Sequence, residues 1–306
     1  MSRRWVASLA VATAVCGVGA PAEAQVRGVY PLGMSATNSG VTPEPGFTYA
    51  NVLLFYSRDE MKGPDGEPVA TGNNSVILAM NSFVWVGKRE LLGGARFSMS
   101  ASLPISNNSL SSDATGPISG GGGFADSYYQ PFILGWTEKR AAIRAVYGFL
   151  APTGRFEVGS HTNVGSGYWT HVLSSGQTWY LTENKATSVS AFQMYEFHTT
   201  QQETSIRPGD TLNLDYSLMQ TMAPRGDVRI QVGMVGYEQR QTTDKNGPDV
   251  TPAQSQARYS VNALGFGANV MLPERKVTLG FKYFKEFSNR STFQGYSAQV
   301  SGSIGF

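Results

Sequence analysis

Apolar and polar residues alternate through most of this chain with a period of two, and the pattern is clearest in its last segment. One face there carries Tyr296, Ala298, Val300, Gly302, Ile304 and Phe306, and the other carries Ser297, Gln299, Ser301, Ser303 and Gly305. Successive side chains of a β-strand point to opposite faces, so this period predicts a strand with one apolar and one polar face. No long helical period follows Gln25, and the pattern therefore predicts an all-β fold.

The chain divides into about twelve such segments, separated by stretches rich in turn residues. The predicted strands are Phe47–Arg58, Val76–Lys88, Ala95–Leu103, Ser127–Trp136, Ala142–Leu150, Tyr168–Leu181, Thr187–His198, Thr211–Thr221, Val228–Gln239, Arg258–Leu272, Val277–Phe287 and Phe293–Phe306. The connections alternate between long and short, as in Pro104–Asp126 followed by Thr137–Ala141. Transmembrane barrels have tight turns at one end and extended loops at the other. We therefore predict a transmembrane antiparallel β-barrel of the bacterial outer-membrane type.

The polar faces of the predicted strands are assigned to the barrel interior, because a charge facing lipid at the bilayer midplane costs about 2–4 kcal/mol. The predicted lumen-lining residues are Arg96, Ser98, Ser100, Arg144, Asp215, Arg229, Gln231, Lys282, Ser297, Gln299 and Ser301. Two interpretations of their charges stay open: the charges pair to fill a small barrel, or they set the field inside a pore. On the first, second, sixth, seventh and tenth strands the alternation is irregular, and a shift by one residue would exchange the faces.

The chain begins with the features of a secretory signal peptide over residues 1–24, in which two arginines precede an apolar stretch and small residues form a cleavage site. Residues 25–45 follow without alternation. They are either a periplasmic tail or a stopper folded into the barrel lumen, and the apolar residues Tyr30 and Leu32 keep the second alternative open. The barrel itself is predicted over residues 46–306.

The charge balance excludes a nucleic-acid-binding protein. The chain has 24 basic and 22 acidic residues, and removal of Arg3, Arg4 and Glu23 with the signal peptide leaves 22 and 21, a net charge of +1. Without a basic cluster, this balance gives no electrostatic footprint for nucleic acid.

The sequence contains no recognisable catalytic or metal-binding motif. The histidines His161, His171 and His198 lack a metal-ligand spacing, and the single cysteine lies in the signal peptide. His171 and Ser174 would face opposite sides of a strand, and His171 and Ser175 would lie about 13 Å apart on one face. A nucleophile and its base must approach to about 2.6–3.2 Å. We therefore expect no enzyme activity, no cofactor and no metal.

Several short motifs occur together in a fixed order and spacing. They are Pro31-Leu32-Gly33-Met34, Pro43-Glu44-Pro45-Gly46-Phe47, Gly123-Phe124-Ala125-Asp126, Gln130-Pro131, Gly135-Trp136, Pro152-Thr153-Gly154, Asn163-Val164-Gly165 and Tyr168-Trp169-Thr170. With this combination the chain resembles the outer-membrane channel family named for the meta-cleavage pathway of phenol degradation. The resemblance implies a passive outer-membrane channel for small hydrophobic or aromatic solutes, and it assigns no catalytic or binding residue.

The final strand, which ends in Phe306, resembles the assembly signal of outer-membrane barrels, which is read by the barrel-assembly machinery. That machinery, outer-membrane lipids, lipopolysaccharide and a small-molecule solute are the expected partners in the bacterial outer membrane, and homo-oligomerisation stays open. Two other functions stay open beside the channel. One is a closed barrel with a structural or surface-binding role through its loops, and the other is an outer-membrane hydrolase.

Overall fold

The computed structural model describes residues 27–91, 93–112, 116–160, 162–248 and 250–306, so the predicted signal peptide lies outside the described residues. The strands, in chain order, are β1 Gly46–Lys62, β2 Pro68–Leu91, β3 Ala95–Ser112, β4 Gly116–Phe124, β5 Ser127–Thr137, β6 Ala141–Ala151, β7 Thr170–Tyr180, β8 Thr187–His198, β9 Thr211–Arg225, β10 Val228–Gln241, β11 Ser260–Leu272, β12 Val277–Glu286 and β13 Phe293–Gly305. A short helix, α1 (Pro252–Gln256), precedes β11, and a 3-10 turn (Pro273–Arg275) follows it. In the described ranges, no helix has the length and apolar character needed to span a membrane.

The strands form one closed antiparallel barrel. Neighbours in the chain pair with each other, except β4 and β5, which both pair with β3, and β1 pairs with β13 to close the circle. β4 and β5 lie end to end beside β3, because β4 pairs with residues 105–112 and β5 with residues 96–102. The thirteen strands of the sheet therefore occupy twelve positions around the barrel. The predicted all-β barrel is confirmed.

Two stretches predicted to be long loops are largely strand, which corrects the sequence analysis. In the first, β1 continues to Lys62 and β2 begins at Pro68. In the second, β3 continues to Ser112 and β4 follows it. The sequence there is rich in glycine, serine and asparagine. Alternation identifies a strand by a continuous apolar face, and these strands carry only isolated apolar residues such as Val69, Ile105 and Ile118.

Burial in this barrel is the reverse of burial in a soluble protein. Large apolar residues on the outer face are exposed, among them Phe83, Met99, Leu173, Leu218, Met234, Leu279 and Val300. Polar residues on the inner face are fully buried, among them Asn213, Asp215, Gln239 and Gln299. An apolar exterior around a polar interior is the arrangement that suits a lipid bilayer.

The two ends of the barrel differ. One end, which we call the turn end, carries the connections 92–94, 138–140, 181–186, 226–227 and 273–276, together with the start of β1 and the end of β13. The other end, the loop end, carries the longer connections 152–169, 199–210 and 242–259. At the turn end the Phe306 amide donates to the Phe47 carbonyl oxygen at 2.8 Å, which fastens the end of the chain to β1.

Candidate functional site

The N-terminal segment, residues 27–45, crosses the barrel lumen from the loop end to the turn end. Arg27 lies at the loop end, where its guanidinium bonds the Glu286 carboxylate at 2.7 and 2.8 Å. Gly46 begins β1 at the turn end. Prolines in the segment remove backbone donors, and Gly33 and Asn38 have positive φ angles of 80° and 55°. These residues prevent a regular strand or helix, so the segment must find other partners for its backbone.

Asp215 and Lys282, two of the predicted lumen-lining residues, hold the tightest turn of this segment. The Asp215 carboxylate accepts hydrogen bonds from the Tyr30 hydroxyl at 2.6 Å and from the Gly33 and Ser35 amides at 3.0 Å. The Lys282 ammonium donates to two carbonyl oxygens of the same turn at 2.6 and 2.7 Å. Charge-assisted hydrogen bonds of this kind are roughly twice as strong as neutral ones.

Other side chains of the inner wall satisfy the rest of the segment. Hydrogen bonds join Glu196 to the Val29 and Tyr30 amides, Gln239 to the Gly28 amide, Gln299 to the Leu32 carbonyl, Gln231 to the Asn38 side chain, Thr178 to the Gly40 amide and Arg144 to the Ser39 carbonyl. Buried backbone groups without a partner are costly. The lumen side chains thus take the role that a neighbouring strand plays in a sheet.

Apolar packing also holds the segment. Tyr30 and Leu32 are buried in a cluster with inward-facing residues of the wall, which include Phe192, Met194 and Phe284. The rings of Tyr30 and Phe192 lie 5.4 Å apart. The segment is therefore bound as part of the barrel core.

The structure separates the predicted lumen-lining residues into three groups. Arg144, Asp215, Gln231, Lys282 and Gln299 contact the N-terminal segment. Ser98, Ser100, Ser297 and Ser301 lie on the inner wall and make no hydrogen bond to the described part of the segment, and Ser100 lines a cavity. Arg96 and Arg229 lie at the turn end, where Arg96 pairs with Glu90 and Arg229 donates to the Gly226 and Val228 carbonyls. Sequence reasoning missed Glu196, Gln239 and Glu286 as partners of the segment.

Two cavities remain between the segment and the opposite wall. The loop-side chamber has a volume of about 460 Å³, and Val76, Leu78, Met80, Leu150 and Met194 supply apolar lining. The turn-side chamber has a volume of about 170 Å³, and its lining includes the polar side chains of Ser100, Gln130 and Arg144. The two chambers share a common boundary, lined by Tyr30, Pro31, Met80, Tyr128 and Met194.

The loop 152–169 folds over the loop-side chamber and is held by Asp126. The Asp126 carboxylate accepts hydrogen bonds from the Gly154 amide at 3.0 Å and from the Ser166 amide and hydroxyl at 2.7 and 2.6 Å. Burial raises the pKa of the Asp126 carboxyl above its ordinary value, and these hydrogen bonds oppose that shift. Thr153 bonds both Ser127 and the Ala125 carbonyl. Several motifs that carried the family resemblance thus meet at this chamber.

The histidine and serine weighed as a catalytic pair lie on opposite faces of β7. The His171 Nδ1 atom is 3.0 Å from the Tyr147 hydroxyl on the exposed outer face, whereas Ser174 is buried on the inner face. They do not form a nucleophile–base arrangement. Within the described ranges, no group of three or more potential ligands could hold a metal ion. His161 lies outside the described residues.

Replacing Gly33 with alanine is expected to loosen the segment and raise the ion conductance of the barrel in planar bilayers. Gly33 has a φ of +80°, and a Cβ atom there would lie 2.5 Å from the Phe284 ring. The left-handed conformation alone costs an L side chain about 1–2 kcal/mol. Gly93→Ala is the matched control, because Gly93 has a φ of +71° with nothing within 4 Å. Equal conductance changes in both variants would contradict the prediction.

Comparison with solved structures supports the fold. An outer membrane channel from Pseudomonas putida F1 matches with a TM-score of 0.68 and 16% identity, over 88% of this chain and 98% of that one. The β domain of the Bordetella autotransporter BrkA matches with a TM-score of 0.53 and 11% identity, over 86% of this chain and all of that one, at 100%. At these identities the likeness shows the fold alone, which is that of outer-membrane barrels.

Sequence comparison gives the family. No curated protein matches the chain. Residues 58–301, which include most of the barrel, match the pattern of one family. The chain therefore belongs to the family described as "Putative MetA-pathway of phenol degradation".

Proposed function

We propose that this protein is a passive outer-membrane channel for small apolar or aromatic solutes. The observation that carries the proposal is the pair of adjoining chambers that the N-terminal segment leaves free. Apolar side chains line much of the loop-side chamber, which has the size of a small-molecule site and lies beneath a folded loop. Transfer of an apolar solute from water to this apolar lining is favourable and breaks no hydrogen bond of the solute. The family description and the channel of similar fold from Pseudomonas putida F1 support the same function.

The proposal includes the outer membrane as location. The apolar exterior requires a bilayer, and closed barrels of this type span the outer membrane. Lipopolysaccharide and outer-membrane lipids would surround the barrel, and the barrel-assembly machinery would read β13 and Phe306. Passive diffusion without an energy-coupling motif belongs to the same proposal, and no enzyme activity is part of it.

Replacing Met80 with tryptophan is expected to lower phenol uptake several-fold by cells that carry the protein. Met80 is 7% exposed and lines both chambers, so a larger side chain would narrow the boundary between them. Uptake of radiolabelled phenol and glucose at low concentration would be compared in cells with and without the protein. The wild type should raise phenol uptake and leave glucose uptake unchanged.

Met99→Trp is the matched control for this experiment, because Met99 is 43% exposed on the outer face of β3. That variant should transport phenol as the wild type does. An equal increase for glucose would indicate an open water-filled pore. No increase for phenol would leave the alternative, a closed barrel that acts through its loops, for which the densely bound N-terminal segment is the supporting observation. Loop deletions that abolish function without changing permeability would then identify that role.

A further inference from the structure

We propose that the turn-side chamber binds small organic anions, in which the Arg144 guanidinium holds a carboxylate or phenolate and the apolar body of the solute reaches into the loop-side chamber. The inference rests on the proposed channel function, since it names a solute class for the same lumen.

Arg144 is a cation in the lumen without an acidic partner among the described residues. Its Nε atom donates to the Ser39 carbonyl oxygen at 3.0 Å, and this is its one hydrogen bond to a described residue. No carboxylate of the described chain lies within ion-pair distance of its guanidinium. The terminal nitrogens therefore keep four N–H groups for another acceptor. Cations in protein interiors are normally paired, so this guanidinium is suited to an anion that the chain does not supply.

Two glycines place the guanidinium at the chamber. Gly135 and Gly176 are the register partners of Arg144 on β5 and β7. A Cβ atom at Gly176 would lie 2.1 Å from the Ser39 carbonyl oxygen, and one at Gly135 would lie 1.9 Å from the Thr42 hydroxyl. The absence of side chains at both positions lets the N-terminal segment lie flat against the wall. Arg144 then extends past the segment and lines the turn-side chamber.

The acids of the lumen are already bound elsewhere. Glu286 pairs with Arg27, Asp215 holds the turn at Gly33, and Glu196 accepts backbone amides of the segment. Among the described residues, no aspartate or glutamate lines the turn-side chamber. A solute anion that reaches Arg144 therefore meets no competing negative charge within that lining.

Tyr128 adds a second donor at the boundary of the two chambers. Ser100 donates to the Gln130 side-chain oxygen at 2.6 Å, and the Gln130 amide donates to the Tyr128 hydroxyl at 3.0 Å. This direction leaves the Tyr128 proton to be donated, and none of the hydrogen bonds of the described residues uses it. The chamber thus offers an N–H cluster and an O–H group to an acceptor. A carboxylate or phenolate satisfies both, and charge-assisted bonds favour it over a neutral hydroxyl.

The apolar residues at the boundary between the two chambers indicate the chemistry of the remaining part of the solute. Met80 and Met194 lie on it together with Tyr30, and Leu78 continues the apolar wall above. Methionine side chains adapt to flat apolar groups and make favourable contacts with aromatic rings. The combination fits a single aromatic ring with an acidic substituent, such as benzoate.

The test measures binding directly, with the full mature chain in lipid nanodiscs and empty nanodiscs as the blank. Equilibrium dialysis would compare radiolabelled benzoate with benzyl alcohol, its neutral counterpart of similar shape. The wild type should bind benzoate more tightly. Arg144→Gln should weaken benzoate binding by about tenfold or more, the usual effect of losing a hydrogen-bonded charge partner, and should leave benzyl alcohol binding unchanged. Arg144→Lys should restore part of the affinity.

Arg229→Gln is the matched control, because Arg229 lies at the turn end and donates to backbone carbonyls there. It should bind both compounds as the wild type does. The inference is overturned if Arg144→Gln binds benzoate normally, or if both compounds weaken together, which would mean that Arg144 only holds the segment. Binding is read without transport, so benzoate binding combined with failed phenol uptake would refute the channel and leave the site standing. Phenol uptake without a benzoate preference would refute only the site.

Discussion

Deletion of residues 27–45 is expected to raise the single-channel conductance of the barrel by about tenfold, since a barrel of this strand number encloses a lumen that side chains alone do not fill. The segment crosses the whole lumen, and its apolar residues pack against Phe192 and Phe284. Its removal would leave a continuous water-filled passage. Every barrel strand keeps its hydrogen-bonded neighbours, so the barrel should still close. Conductance in planar bilayers measures the change.

The same variant should show a lower unfolding temperature. Phe192, Met194 and Phe284 would be exposed to lumen water, and apolar burial contributes about 25 cal/mol per Å². Deletion of α1 in the loop 242–259 is the control for changes in chain length, because α1 lies at the loop end and has no buried residue. Equal conductance in the two deletions would show that the segment does not block the lumen.

The barrel could be predicted from the sequence because lipid imposes one requirement on every strand. On β9, Leu212 and Leu214 face outward and Asp215 faces inward, so each position reports its face. The same rule failed to identify β4, since that strand lies in a glycine- and serine-rich hairpin. Alternation of apolar and polar residues therefore predicts a strand only where the strand has an apolar outer face and a polar inner face.

The partners of the N-terminal segment were harder to predict. On β8, the apolar residues Phe192 and Met194 face inward, where the segment covers them. The inner face of this strand therefore carries large apolar residues as the outer face does, and the polar–apolar alternation is lost. Glu196 was a detectable signal on that strand, as the one acid there, set between Tyr195 and Phe197. If the side chains of β8 were assigned to the opposite faces, Glu196 would face lipid and the two aromatic residues would face the lumen. The cost of a lipid-facing charge assigns Glu196 to the interior.

The chambers follow from packing that no local pattern contains. On β2, Leu78 and Met80 face the lumen while Ile77 and Phe83 face outward, so the strand is apolar on both faces. A doubly apolar strand is typical of complete burial in a soluble protein. In this barrel the strand lies between lipid on one side and an apolar part of the lumen on the other. The sequence alone cannot separate these two cases, because the lumen is apolar there only where the N-terminal segment leaves the wall uncovered.

The wall opposite the chambers is polar because it binds a backbone. A segment without regular structure must have its amides and carbonyls satisfied, and Asp215, Lys282 and Gln299 supply partners from three different strands. The predicted lumen charges therefore have a third role beside the two weighed from the sequence. They hold an internal segment. Of the three predicted charges that contact it, Arg144, Asp215 and Lys282, only Arg144 combines one backbone hydrogen bond with N–H donors that no described residue accepts.

Replacing Asp215 with alanine is expected to release the turn of the N-terminal segment and raise conductance several-fold. The carboxylate is the acceptor for the Tyr30 hydroxyl and for the Gly33 and Ser35 amides. The Tyr30 hydroxyl and the Gly33 amide would lose their acceptor, whereas the Ser35 amide keeps the Tyr30 hydroxyl oxygen at 2.9 Å. Each buried donor left without a partner costs about 1–3 kcal/mol, and the two losses together weaken the turn. The Lys282 ammonium would also lose the negative charge that faces it across the turn.

Trypsin provides a readout that is independent of conductance, because a released segment exposes the peptide bond after Arg27. Cleavage there, followed by mass spectrometry, should be fast in Asp215→Ala, intermediate in Asp215→Asn and slow in the wild type. Asparagine keeps one acceptor oxygen but loses the charge, so the order of the variants separates hydrogen bonding from electrostatics. Asp227→Ala is the matched control, since Asp227 accepts the Glu274 amide at 2.9 Å at the turn end. Protection of Arg27 in Asp215→Ala equal to that in the control would mean that the remaining contacts, chiefly Glu286 and Glu196, suffice to hold the segment.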